Sequence, residues 1–125
     1  MTVRSLFPIL LTRDLPSLTG FYERALGGVV GYRFAAADAD ADVYVSLAVG
    51  EASLGIAYDP DAADAVAGDR VALWFSVDDV DAAFAAFVAA GGDAVSEPAD
   101  MPWGERVARA RDLDGNLVDL GTAAA

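Results

Sequence analysis

The chain repeats itself at a spacing of 65 residues, and this repeat restricts the fold more than any other feature of the sequence. Leu6 to Thr12 is an apolar run ending at Asp14, and Val71 to Val77 is a second one ending at Asp78 and Asp79. Both runs have the length and residue content of strands. A helical pattern follows each: Leu15, Leu18, Tyr22 and Leu26 in the first half, Val80, Phe84, Phe87 and Val88 in the second. Asp14, and either Asp78 or Asp79, suit the N-cap position, where a short carboxylate accepts hydrogen bonds from backbone N–H groups that lack a helical partner. Both patterns stop at a glycine pair, Gly27-Gly28 and Gly91-Gly92.

Strand-like segments continue each half. After the first glycine pair come Val29 to Phe34, Val43 to Val49 and Ser53 to Tyr58, with turns at Asp38 to Asp42 and at Gly50-Glu51. After the second come Ala94-Val95, Arg106 to Ala110 and Leu117 to Leu120, with turns at Glu97-Pro98 and at Asp114-Gly115-Asn116. The plan is β-α-β-β-β, twice: a first module over residues 4–58, a connecting loop rich in Pro, Gly, Ala and Asp over 59–70, and a second module over 71–121. A chain of 125 residues is near the commonest size of one domain, so the expectation is a single α+β domain with two modules.

Alternation along a strand assigns its two faces. Leu73, Phe75 and Val77 are expected under the second helix, so Ala72, Trp74 and Ser76 point the other way. By the same phase Pro8, Leu10 and Thr12 go with the first helix, and Phe7, Ile9 and Leu11 share the opposite face. Two such sheets can cup their free faces around an apolar and aromatic cavity. That lining suits a small-molecule pocket and equally suits a packed core.

The chain has no His, no Cys and no Lys. Thiolate nucleophiles, Schiff-base amines, Ser-His-Asp triads and Cys-bearing zinc sites are thereby excluded. With 20 acidic and 8 basic side chains the formal charge is -12, which repels phosphate backbones and argues against a nucleic-acid partner. Uncharged runs fall well short of the roughly 20 residues that span a bilayer, and the start lacks the pattern of a signal peptide. The expectation is a soluble cytoplasmic protein with no membrane partner, whose field favours cationic small molecules.

The stretch Leu10-Leu11-Thr12-Arg13-Asp14-Leu15 with Phe21-Tyr22 and Leu26-Gly27 resembles the first module of the vicinal oxygen chelate superfamily, which includes glyoxalases, extradiol dioxygenases and bleomycin resistance proteins. In the second half Val77-Asp78-Asp79-Val80-Asp81, Gly91-Gly92, Pro102-Trp103-Gly104 and Arg111-Asp112-Leu113-Asp114-Gly115-Asn116 carry the same resemblance, closest to the bleomycin-resistance branch. It implies paired β-α-β-β-β modules whose mixed sheets curve round a cleft, and a homodimer completing two clefts, within one chain or across two. It also implies four metal-ligand positions in the metalloenzymes of the superfamily. Carried over, these fall on Phe7, on Ala72, near Leu54 or Ile56, and on Asp119. Of these only Asp119 can ligate, whereas three protein ligands are usual even for a catalytic ion with an open position. The expectation is therefore no metal and no cofactor.

Among the remaining candidates, Asp38, Asp40 and Asp42 start like a calcium loop, but Val43 and Val49 stand where an EF-hand needs Gly and Glu, so a solvated hairpin is expected. Asp112 and Asp114 read as turn chemistry, and Glu105 and Arg106 as a solvated pair. Asp119 faces the cleft and either pairs with Arg109 or meets a cationic ligand. Trp103 either stacks on a planar ligand or covers the end of the sheet. Trp74 reads as a cleft wall, and Phe34 and Tyr44 as cleft rim or core. The reading is a metal-independent protein that sequesters an organic molecule through Phe7, Ile9, Phe34, Tyr44, Ile56, Trp74, Trp103, Arg109 and Asp119. The alternatives are a metal-dependent lyase, isomerase or dioxygenase of the same fold, and a metabolite-binding regulatory module.

Overall fold

A computed structural model describes residues 2–37, 40–62 and 68–122 of the chain. Its elements follow the β-α-β-β-β plan twice. The first module comprises β1 (Ile9–Thr12), α1 (Leu15–Leu26), β2 (Val29–Ala35), β3 (Asp42–Val49) and β4 (Ala52–Tyr58). The second comprises β5 (Leu73–Ser76), α2 (Val80–Ala89), β6 (Asp93–Asp100), β7 (Arg106–Arg111) and β8 (Leu117–Gly121). Each module forms its own four-stranded mixed sheet, in the order β1-β4-β3-β2 and β5-β8-β7-β6. In both, the first strand pairs in parallel with the last, which the intervening helix makes possible as a crossover, and the other pairings are antiparallel. The chain divides into two compact units built on these modules.

Local chemistry fixes the helix ends. Asp14 accepts from Ser17 N–H at 3.2 Å and from Ser17 Oγ at 2.8 Å, and its own N–H donates to Thr12 Oγ1 at 3.1 Å. Asp79, the second of the two aspartates expected to cap, accepts from Ala82 N–H at 3.1 Å. α1 ends at Gly27, whose φ of 68° is left-handed and whose N–H bonds to Glu23 O. In the first module the buried apolar side chains come from α1 (Leu15, Leu18, Phe21, Tyr22) and from one sheet face (Leu10, Val45, Leu47, Leu54, Ile56). In the second, α2 contributes Val80 and Phe87, and the sheet contributes Ala108, Ala110, Val118 and Leu120. Alanines at the middle of β7 and along α2 leave little side chain between helix and sheet, so the two pack closely.

Several strand expectations change. β1 begins at Ile9, so Leu6 and Phe7 precede it, although Gly55 N–H still bonds Pro8 O and extends the ladder by one link. β6 runs through Glu97-Pro98, where a turn was expected. Proline is tolerated there because β6 is an edge strand and its pairing with β7 is irregular between Ser96 and Ala99. The turn falls instead at Met101 to Glu105, closed by Met101 N–H to Glu105 O at 2.7 Å. β2 carries an irregularity between Val30 and Tyr32, with Val30 opposite Leu47 and Tyr32 opposite Ser46. Gly31 is thus the extra residue, and Tyr32 and Phe34 are held on the face away from the core. Of the acidic hairpin, Asp38 lies outside the described residues, and Asp42 opens β3 with a 3.7 Å contact to Arg33. No helix among the described residues is long and apolar enough to cross a membrane.

Candidate functional site

In each module the sheet face away from the buried side chains carries most of the candidate residues. In the first module that face presents Ile9 and Leu11 on β1, Tyr32 and Phe34 on β2, and Tyr44 on β3, with Phe7 at the approach to β1. All except Tyr44, which is partly covered, are about half exposed. Tyr44 pairs with Phe34 on one side and Ala57 on the other, and its ring lies 6.3 Å from that of Tyr32, tilted by 56°. Phe34 and Tyr44, which parity left between rim and core, therefore belong to the open face. Its apolar surface reflects strands with an aromatic or aliphatic residue at every second position.

Ile56 does not belong to it. It is fully buried, opposite Leu10 and Val45, and shares the core face with Leu54. The cause is register: Ile9 pairs with Gly55, just as Trp74, 65 residues later, pairs with Asp119. Gly55 is therefore the first-module counterpart of Asp119, one residue from either position expected. It has no side chain, and a Cβ placed there would lie 2.6 Å from the Tyr44 hydroxyl.

The second module's open face is polar as well as aromatic. Trp74 on β5, Asp119 on β8 and Arg109 on β7 are consecutive partners across three strands. Arg109 grips Asp119 through two bonds, Nε to Oδ1 at 2.7 Å and Nη2 to Oδ2 at 3.0 Å. The Asp119 side chain is 12% exposed and that of Arg109 44%. The carboxylate raises the Arg109 pKa, through its hydrogen bonds first and its charge second. Of the two roles open to Asp119, the structure supplies the arginine pair. Trp74 is 45% exposed, its indole N–H donates to Ser76 Oγ at 3.1 Å, and its ring lies over Gly121, where a Cβ would collide with Cζ2 and Cη2. Close approach of the indole to the backbone thus requires glycine at this point.

Trp103 lies in the turn between β6 and β7, 64% exposed, with its indole N–H donating to Glu105 Oε1 at 2.6 Å. The expected Glu105 and Arg106 pair does not form. Arg106 binds Asp81 of α2 through two bonds of 2.9 Å and Asp100 through one of 3.1 Å, fastening the helix to the sheet. Asp112 is buried and organises its turn, its Oδ1 accepting from the N–H groups of Asp114 and Asn116 at 3.0 and 2.9 Å. Sequence reasoning missed a second ion pair, from Arg111 to Asp69 in the connecting loop at 2.7 and 2.8 Å. No local pattern links residues 42 positions apart. It also left Tyr32 out of the candidates, because the bulge at Gly31 that sets its face carries no unambiguous sequence signal.

A cavity of about 800 Å³ opens in the first module beside the start of α1, lined by Arg13, Leu15, Thr19, Arg33, Val45 and Tyr58 among others. None of the nine candidate residues lines it. The donor set for a metal is equally clear: Phe7, Ala72 and Gly55 offer no ligating atom, and Asp119 is engaged by Arg109. Among the described residues no three His, Cys, Asp or Glu side chains cluster as a metal site requires. The residues present do not fit the metal that metalloenzymes with this module pair carry.

A family model described as Glyoxalase/Bleomycin resistance protein/Dioxygenase superfamily matches residues 5–120. Solved structures agree in fold. TioX from Micromonospora sp. ML1 is 25% identical, with 96% of this chain and 98% of that one covered and a TM-score of 0.73. A hypothetical protein from S. aureus is 22% identical over 98% and 100% of the two chains, with a TM-score of 0.75. A protein from Burkholderia phytofirmans PsJN, described as a glyoxalase/bleomycin resistance protein/dioxygenase family enzyme, is 18% identical over 93% and 95%, with a TM-score of 0.74. No curated protein matches the chain significantly.

Proposed function

The chain belongs to the glyoxalase/bleomycin resistance protein/dioxygenase superfamily, and from that premise we propose that it binds a small organic molecule without a metal and holds it rather than transforming it. The observation that carries this reading is the pair of open sheet faces. Phe7, Ile9, Tyr32 and Phe34 in one module, and Trp74 in the other, present ring and aliphatic surface that is about half exposed, with Tyr44 partly covered beside them. Exposed apolar patches of this kind on a small protein mark binding surfaces. The occupants proposed are a planar ligand and a second copy of the chain that closes the face over it, with Trp103 stacking from the β6–β7 turn. Sequestration of this sort acts by mass action and needs a dissociation constant below the ligand concentration.

The rival reading is a metal-dependent enzyme of the same fold; the Burkholderia protein is described as a family enzyme. Elemental analysis of the purified protein separates the two. The expected result is no stoichiometric Mn, Fe, Ni or Zn together with calorimetric binding of planar aromatic compounds. A metal at one equivalent per chain overturns the proposal.

A further inference from the structure

We infer that Arg109 selects the ligand, and that the second module's open face takes a planar compound bearing a hydrogen-bond acceptor, a carboxylate or carbonyl, in preference to a cationic one. This inference rests on the proposed binding role and names the ligand chemistry of the same face. A guanidinium has five N–H donors. Asp119 takes one from Nε and one from Nη2, along one edge of the fork. The other edge, formed by Nη1 and the second Nη2 proton, has no partner among the described residues, and the side chain is 44% exposed. Two parallel N–H bonds are the geometry that binds a carboxylate in a bidentate manner. Asp119 fixes the plane of the fork from the buried side, so the free edge is oriented before a ligand arrives.

The neighbouring groups limit what else the face can recognise. Trp74 has given its single N–H to Ser76 and offers only ring surface. Each oxygen of Asp119 already accepts a bond from Arg109 and the side chain is only 12% exposed, so little of the carboxylate is left to draw a cation. Asp69 is likewise held by Arg111. Adjacent strands lie about 4.8 Å apart, which places the Trp74 and Arg109 strands about 10 Å apart. A bicyclic ring with an acceptor at its far end spans that distance. The net charge of -12 acts on approach at long range and is screened at physiological salt, whereas the pair acts at contact.

Calorimetry of the full chain at about 0.15 M salt with 2-naphthoate and with 2-naphthylmethylammonium tests this. The naphthoate is expected to bind about tenfold tighter or more, and to move an arginine Nε–Hε NMR signal that is missing in the R109Q/D119N double variant. That variant replaces both charges with amides, so no unpaired ion is left in the sheet, and it is expected to lose the preference while retaining weak binding of both probes. Equal or tighter binding of the ammonium overturns the inference and leaves aromatic binding standing. An unchanged preference in the double variant overturns the role of Arg109. If neither probe binds, the inference and the proposed function of this face fall together.

Discussion

Asp119 is 12% exposed and Arg109 44%, and the asymmetry predicts which partner the fold misses more. Removing the guanidinium strands a desolvated carboxylate, whereas removing the carboxylate leaves an arginine that water can reach. R109A is expected to cost about 2 kcal/mol of stability and D119A less than about 1 kcal/mol, as urea denaturation would measure. The two glycines beneath aromatic rings give a second contrast. At Gly55 a methyl meets the hydroxyl tip of Tyr44, a flexible side chain that swings away. At Gly121 it meets the indole, which is tethered through Ser76. G121A is expected to cost about 1–3 kcal/mol and to shift the tryptophan emission, while G55A costs less than about 1 kcal/mol and leaves that emission unchanged. A G55A variant that destabilises as much as G121A would mean that Tyr44 is as firmly held as Trp74.

At the scale of elements, the parts read correctly from sequence are those set by chemistry within one turn of chain. Asp14 and Asp79 cap their helices because the acceptor is three residues from its donor, and Gly27 ends α1 because its φ is left-handed. D14A and D79A are each expected to cost about 1 kcal/mol by thermal or urea unfolding, with D14A the larger because Asp14 also holds the Ser17 hydroxyl. What was not legible depends on partners far along the chain. Pro98 reads as a turn until β6 is known to be an edge strand, and Leu54 and Ile56 bracket the metal-equivalent position until Ile9 is seen opposite Gly55. One residue of register exchanges the core and open faces, so a position known only to within one residue can name the wrong side chain even when the fold is right. That uncertainty put Ile56 among the binding candidates, and the bulge at Gly31 kept Tyr32 out.

For the whole molecule the surface ion pairs set how stability responds to acid. Arg111 holds the Asp69 carboxyl below the ordinary aspartate range, chiefly through its hydrogen bonds, and Arg106 does the same to Asp81. In the unfolded chain both return to about 3.9. Between the folded and unfolded values the unfolded state carries more protons, so stability rises with pH across that window. The contribution is complete above about pH 4 and is lost as pH falls through the depressed folded values. The two pairs tie separate segments to the sheet of the second module, Arg111 holding the connecting loop and Arg106 holding α2. D69N and D81N are therefore expected each to flatten the dependence of the urea midpoint on pH below about 4, with additive effects in the double variant. At pH 7 both act through exposed groups, so the single losses there are small and shrink further in 0.5 M salt. A midpoint that falls equally steeply with acid in the double variant would place the acid-sensitive carboxylates elsewhere among the 20 acidic side chains.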